Sequence, residues 1–366
     1  MSVPGASSRL VLHTESSLGF GGQEIRILTE ARWLRQHGWD VLVTCQPASR
    51  LAAEAEAAGV PAVAISMRSA LDVWALLALR RLMRARGVRL VHTHSSIDSW
   101  LATLAAKSLG LPVVRGRHVT IPVLRRRALV YRLADRIVTS GEAVTMLVAR
   151  AGVPLDRIVA IPAGFDPARF HAGVSGQRVR QELALKGPAV GLVANVRGSK
   201  GHRYFLEAAR EIVRGRPDAR FLVVGDGVGF ADVRRQVQEM GLGSSVIMTG
   251  FRRDIPEVMA ALDVLVLPST RSEAVSQVIL QALAVGTPVV GTTVGGTPEV
   301  VRDGENGRLV PPADGPALAT AILALLDDPA RARAMGSAGQ ALVHARYSID
   351  ATMARTAALY AELLPQ

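Results

Sequence analysis

The residues best suited to chemistry lie in the second half of the chain, in turns that follow apolar runs. Within SEAVSQVILQALAVGTPVVGT, Glu273 and Gln281 stand eight residues apart on either side of an apolar segment. Eight residues is close to two α-helical turns, so the spacing predicts an acid in a helix's first turn and an amide further along the same face. Such an acid either complements the helix dipole or addresses a ligand. Upstream, NVRGSKGHRYF places Arg197 and Lys200 three apart, immediately before a helical pattern. Two cations at a helix N-terminus disfavour that helix, so an anion is expected to offset them. A diphosphate suits the pair, with lysine as a point charge and arginine as a fork; a solvated basic turn is the plainer alternative. Lysine occurs only at 107, 186 and 200, which gives its placement weight. VVGDGVG, containing Gly225, and PVVGTTVGGTPEVV, containing Gly295, Gly296 and Glu299, are further glycine-bearing turns between strand and helix.

In the first half, LGFGGQE follows an apolar run and opens a helical pattern. Gly21 and Gly22 there would let the backbone approach a ligand closely, and a helix start offers N–H groups to an anion. A tight strand-to-helix turn would look the same. The stretch is not a G-x-G-x-x-G fingerprint, and no Walker-type loop occurs in the chain. VHTHSSIDSW and GRHVTIP put His92, His94 and His118 after strands. Three histidines suggest zinc, yet no H-x-x-x-H face or carboxylate geometry accompanies them, so no metal is expected. Placement after a strand makes His118 a candidate ligand contact.

These residues need elements to hold them. RLVLHT, DVLVTC, VPAVAIS, VRLVHTH, LPVVRGR, DRIVTS and DRIVAIP read as strands separated by helical segments. After a Pro/Gly-bearing stretch at 161–176, the rhythm restarts with AVGLVANV, ARFLVVGDG, SVIMTG, DVLVLPS and PVVGTT. The last ~50 residues look helical throughout. Apolar strands alternating with helices argue for a parallel sheet covered on both faces. The expectation is therefore α/β: two doubly wound, Rossmann-like domains facing a central cleft. Their expected bounds are 1–170 and 171–345, with a C-terminal helix at 346–366 packing back on the first. Ligands in such sheets lie beyond the carboxyl ends of the strands.

Composition narrows the class. A chain of 366 residues exceeds one usual core. The lone Cys45 excludes a disulfide framework, and neither a membrane-spanning run nor a signal-peptide pattern is seen, so a cytoplasmic protein is expected. Residues 1–170 carry 22 Lys and Arg against 12 Asp and Glu, whereas residues 171–366 carry 21 against 19. Nearly all of the net charge of +12 thus lies in the first half, in RRLMRARGVR (80–89) and at Arg115, Arg117, Arg125, Arg126, Arg127, Arg132 and Arg136. Anionic lipid or nucleic acid would suit such a charge, and so would an arginine-rich composition with no special partner. Nucleic acid would want aromatics among the basic residues. LRRRALVYRL offers only Tyr131, so no nucleic acid is expected.

SEAVSQVILQALAVGTPVVGTTVGGTPEVV, read with VRGSKGH, resembles the retaining glycosyltransferases of family 4, which share the GT-B architecture. The resemblance runs from LGFGGQE through RHVTIP and IPAGFDPARF to the final helix. It implies a nucleotide-sugar donor held mainly by the second domain, a saccharide or lipid-linked acceptor held mainly by the first, and no metal or cofactor. Glu273 matches the acid expected to bond the donor sugar's hydroxyls, and His118 the histidine beside that sugar. Gln281 falls where the family usually has a second Glu facing the ribose; an amide accepts there without the charge-assisted bond. Asn195 falls near the family's usual Arg, with Arg197 closer to Lys200, so the phosphate role passes to Arg197 and Lys200. Gly21, Gly22, Gly225, Ser276 and Gln277 complete the implied donor contacts. His94, Arg125, Arg126 and Arg127 are the implied contacts to acceptor or membrane. Similar enzymes build lipid-linked saccharides for cell-surface polysaccharide or lipopolysaccharide, peripherally on the inner face of the bacterial membrane. The alternatives are a nucleotide-sugar epimerase or hydrolase on the same fold, or a non-catalytic nucleotide-sugar-binding protein.

Overall fold

A computed structural model describes residues 9–121, 123 and 128–364. Val- and Leu-rich runs form the strands because β-branched and apolar side chains fill a sheet packed on both faces. In the first unit these are β1 (Leu10–Thr14), β2 (Asp40–Cys45), β3 (Ala62–Ala64), β4 (Leu90–Thr93), β5 (Val113–Arg117), β6 (Arg136–Thr139) and β7 (Ile158–Ala160). They pair in parallel in the order β3-β2-β1-β4-β5-β6-β7. The order reverses direction at β1/β4, the switch point where such sheets hold ligands. Alternation along β1 sorts the core into two layers. Val11 packs with Ile27, Leu34 and Val43, while Leu12 packs on the other face with Leu42, Leu79 and Leu101. Each such side chain, fully buried, contributes roughly 1.5–3 kcal/mol.

The second unit holds β8 (Ala189–Val193), β9 (Arg220–Val224), β10 (Val246–Gly250), β11 (Val264–Leu267), β12 (Val289–Thr292) and β13 (Gly307–Val310). They form a parallel sheet in the order β10-β9-β8-β11-β12-β13, with its switch point at β8/β11. β13 was not expected. Its four residues, GRLV, carry too little alternation to stand out, and only pairing with β12 from Val289↔Gly307 to Thr292↔Val310 makes them a strand.

The two compact units comprise Met1–Pro162 with Thr352–Gln366, and Ala163–Ala351. The chain crosses at Pro162/Ala163, inside the Pro/Gly-bearing stretch rather than at 170. It returns through the helix Ile349–Leu363, whose Leu359 and Tyr360 are buried in the first unit's core. Among the described residues, no helix is long and apolar enough to cross a membrane.

Candidate functional site

The carboxyl edge of the second sheet gathers the cation, the acid and the glycines of the sequence reading. After β8 the chain runs through Asn195 and Arg197 into a short 3-10 turn, Gly198–Lys200, and then the helix His202–Gly215. Gly201 joins the two with φ +72°, a left-handed conformation that glycine adopts without strain. A Cβ there would sit 1.9 Å from the carbonyl oxygen of Pro268, so this turn lies backbone to backbone on the segment after β11. Thr270 N donates to Ser199 O at 2.9 Å and ties the two further.

That segment carries Glu273. Lys200 Nζ and Ser269 Oγ both donate to Glu273 Oε2 at 2.6 Å. The lysine and glutamate side chains are only 12% and 9% exposed. The anion expected opposite Lys200 is therefore, in part, the chain's own carboxylate. Glu273 is also fixed by its backbone: Gly296 N donates to Glu273 O at 2.9 Å. Gly295, at φ +57°, comes so close that a Cβ would meet Glu273 O at 1.9 Å. Glu273 does not lie in the helix's first turn as the spacing predicted. The helix spans Gln277–Ala284, with buried Ser276 in the N-cap position, and Glu273 stands in the loop before it. The close glycine contacts pack this loop on the turn after β12, a tertiary constraint that eight-residue spacing could not reveal.

The remaining predicted donor residues divide. Asn195 and Gly225 line a cavity of about 480 Å³ with Gly227, Phe251, Arg252 and Ile255. Gly225 has φ +133°, and a Cβ there would meet Ala194 O at 2.0 Å. Arg252 faces this cavity already committed, forking Glu182 at 2.6 and 2.9 Å and reaching Asp254 at 2.6 Å. Its guanidinium holds the Asp254 carboxyl down at about 2. Arg197 is exposed, has no ion pair among the described residues, and lines a different cavity of about 540 Å³ with His202, Arg203 and Arg271. Burial first, and Lys200 second, lower the His202 pKa to about 4. Gln277 is drawn away from either cavity, donating to Ala163 O at 2.5 Å. Gln281 is half-buried, and its side-chain amide makes no hydrogen bond among the described residues.

In the first unit, Gly21 caps the helix Gly22–Gln36 with extended backbone, and its N–H is taken by Glu24 Oε2 at 2.7 Å. A Cβ at Gly22 would meet nothing within 4 Å. Neither glycine is therefore demanded by conformation or crowding, and part of the expected anion-binding N-terminus is filled from within. Beneath this loop lies a carboxyl pair that the sequence reading did not single out. Buried Glu15 accepts from Ser17 N at 2.7 Å and from Gln23 Nε2. Asp98 accepts from Thr14 Oγ1, Ser95 Oγ and His94 N at 2.9, 2.6 and 3.0 Å. Burial, and then the neighbouring Asp98, push the Glu15 carboxyl up to about 7. An acid directly after a strand end and the S-x-x-D box of Ser95 and Asp98 were the available signals.

His94 and His118 meet as part of a histidine chain. His94 Nδ1 lies 3.2 Å from His118 Nε2, and His94 Nε2 lies 3.0 Å from His13 Nδ1. His92 Nδ1 is 2.5 Å from the Tyr360 hydroxyl. Gly116 makes room: a Cβ there would meet His118 Nε2 at 2.7 Å. Burial lowers His13 to about 4 and holds His92, His94 and His118 well below the ordinary imidazole range, so all four are neutral. The absence of a nearby carboxylate, inferred from sequence, is corrected. Atoms of His13, Glu30, His92 and His94 lie within 4.8 Å of one another. Glu30 is far off in sequence and reaches the histidines only through the packing of its helix on the sheet. It is paired at 2.6 Å with buried Arg26, whose positive charge beside the cluster counts against a cation there. Arg115, counted among the basic excess, is likewise internal, donating to Ser95 O and stacking over Tyr131. Arg125, Arg126 and Arg127 lie outside the described residues.

Residues 20–169 match the family model described as Glycosyltransferase Family 4, and residues 187–328 the one described as Glycosyl transferases group 1. The chain is 31% identical over 317 residues to an alpha-D-kanosaminyltransferase of Streptomyces kanamyceticus, covering 80% of this chain and 81% of that protein. It is 28% identical over 288 residues to the UDP-Gal:alpha-D-GlcNAc-diphosphoundecaprenol alpha-1,3-galactosyltransferase of Escherichia coli, covering 74% of each. Its fold is similar to that of Anabaena Alr3699/HepE, solved in complex with UDP. The TM-score is 0.87 at 22% identity, over 97% of this chain and 100% of the other.

Proposed function

Since the chain belongs to the family 4 glycosyltransferases and has their GT-B fold, we propose that it transfers a sugar from a nucleotide-sugar donor to a saccharide or lipid-linked acceptor. In this reading the anomeric configuration is retained and no metal is used. The observation that carries the reading is the Lys200–Glu273 pair, clamped by glycines at the carboxyl edge of the second sheet. A nucleoside diphosphate leaves with developing negative charge, and a preorganised ammonium nearby lowers that barrier. Lys200 has two protons free for a phosphate oxygen while the third stays on Glu273. Glu273 Oε1 is left to accept from a sugar hydroxyl. Asn195 and Gly225 would border the nucleotide in the 480 Å³ cavity.

The transfer breaks the bond from the anomeric carbon to the diphosphate oxygen. The acceptor oxygen bonds on the same face, and its proton passes to the departing phosphate oxygen. His118, neutral and positioned by His94, would offer or accept a hydrogen bond without adding charge. The relatives carry transferase names, which favours transfer over epimerisation, hydrolysis or mere binding. The Escherichia coli relative's name specifies a diphosphoundecaprenol-linked acceptor, and with the basic first half it supports a lipid-linked acceptor met at the cytoplasmic membrane surface, in cell-surface polysaccharide synthesis.

The test is nucleotide release across UDP-, GDP- and ADP-sugars, with EDTA present and Lys200→Ala alongside. The expected result is release from one donor, insensitive to EDTA and about ten- to a hundredfold slower in the variant, as befits one charged hydrogen bond. An unchanged rate in Lys200→Ala would refute the phosphate role.

A further inference from the structure

We propose that the outer face of the helix Val73–Arg86 docks the protein on an anionic lipid bilayer. The helix is well anchored on its inner side. Asp72 caps it, accepting from Ala75 N at 3.0 Å, and Gly87 ends it at φ +67°. Ala75, Leu79 and Met83 are buried in the first unit's core. The opposite face has the reverse character. Trp74 is 82% exposed and Leu77 is exposed with it, and Leu71, one turn before, is 89% exposed. Helical spacing puts residues 74, 77, 78, 81, 84 and 85 on one face. That face reads Trp74, Leu77, Ala78 and then Arg81, Arg84 and Ala85: an apolar tip followed by a basic stretch.

A tryptophan and two leucines standing in water are a costly arrangement unless something covers them. The charge says what. From Val73 through Ile97 the sequence has no acidic residue, and Arg81 and Arg84 make no ion pair among the described residues. Asp72, the nearest acid in the sequence, is engaged as the helix cap, and its bonds to Ala75 N and Arg68 N hold its carboxyl below the usual range. An apolar, tryptophan-bearing tip beside unpaired arginines fits the boundary between lipid headgroups and acyl chains. Indole prefers that depth, and guanidinium meets the phosphates. A protein partner would need its own acids aligned with a small apolar pocket, whereas an anionic bilayer supplies both features at any point of its surface.

The inference deepens the membrane-surface part of the proposed function, yet it concerns residues remote from the donor site and fails or succeeds separately from sugar transfer. The full chain is sedimented with vesicles of phosphatidylcholine alone and of phosphatidylcholine mixed with phosphatidylglycerol. Two variants accompany it, Leu71→Ser/Trp74→Ser and Arg81→Gln/Arg84→Gln. All four positions are exposed, so unfolding temperature and nucleotide release should match the parent. Binding is expected only with phosphatidylglycerol, weakening by about tenfold or more in the arginine variant, since each basic residue is worth roughly fivefold. The apolar variant should also weaken, and vesicles should shift tryptophan emission to the blue unless Trp74 is replaced by Phe. Equal binding to both vesicle types, or variants that bind like the parent, would overturn the proposal. So would a parent that does not bind vesicles but forms a dimer dispersed by Leu71→Ser/Trp74→Ser, which would assign the face to a second copy.

Discussion

At the scale of single residues, the pair Lys200–Glu273 concentrates both structural and chemical demand. Taking two charges largely out of water is costly, and their attraction offsets it only while both are present. Ser269 Oγ supplies the second bond to the same oxygen, so the carboxylate is held whether or not a donor is bound. Removing one partner should therefore cost more than removing both. Glu273→Ala is expected to lose roughly 3 kcal/mol of stability by leaving Lys200 unpaired. Adding Lys200→Ala should restore part of that loss. Urea melts of the two single variants and the double variant measure the coupling, and strict additivity would mean that the pair contributes nothing to folding. Arg197 stands apart from this pair, lining a separate cavity. Sequence adjacency to Lys200 suggested a shared phosphate, but the 3-10 turn Gly198–Lys200 separates the two, and only Lys200 pairs with Glu273.

At the scale of elements, glycines decide where the acid sits. Gly201 and Gly295 both have positive φ, and at each a Cβ would come within 1.9 Å of a carbonyl oxygen on the segment after β11. Backbone can approach that closely only where no side chain intervenes. Gly286 offers a control, since it has φ +90° with nothing within 4 Å of a built Cβ. Gly286→Ala should cost only the left-handed strain, about 1–2 kcal/mol. Gly295→Ala should cost distinctly more and slow turnover by displacing Glu273, whereas Gly286→Ala should leave the rate alone. Thermal melts paired with nucleotide-release rates test this; equal losses in the two variants would mean that the close approach is not needed. The sequence marked V-G-G-T-P-E-V as a turn before a helix, which is what forms, with Thr297–Val300 as the short helix. It could not tell that the turn packs on the loop after the neighbouring strand β11, at Glu273.

At the scale of the whole molecule, buried neutral histidines set the response to acid. His13 in the first unit and His202 in the second are both lowered to about 4 from an ordinary 6.5, chiefly by burial. Between those values the unfolded chain binds a proton that the folded chain refuses. Stability should therefore fall as pH drops from about 6.5 toward 4, by something on the order of 3 kcal/mol for each histidine. Glu15 acts with the opposite sign. Its carboxyl is raised to about 7, so the stability it contributes is complete below 4.5 and lost as pH rises through 7. Denaturant melts taken at steps from pH ~7 to pH ~4.5 should show declining stability in both units, with the slope reduced in His202→Gln. A slope unchanged in His202→Gln would mean that His202 is solvated.

The sequence by itself determined the class of fold, because periodicity is a local property. Runs such as AVGLV and VLVL bury both faces wherever they pair, and the helices between them leave parallel strands as the economical arrangement. It also put the candidate residues Lys200, Glu273, His94 and His118 after strands, which is where they lie. What it could not determine depends on contacts between distant segments. The strand β13 exists through its partner. The loop before the helix Gln277–Ala284 packs on the glycines that follow the neighbouring strand β12. Glu30, paired with Arg26, reaches His92 because the helix Gly22–Gln36 packs on the sheet. Helical spacing alone says which residues share a face, but only the packed core showed which face of Val73–Arg86 is turned to water, because burial belongs to the whole fold and not to any stretch of it.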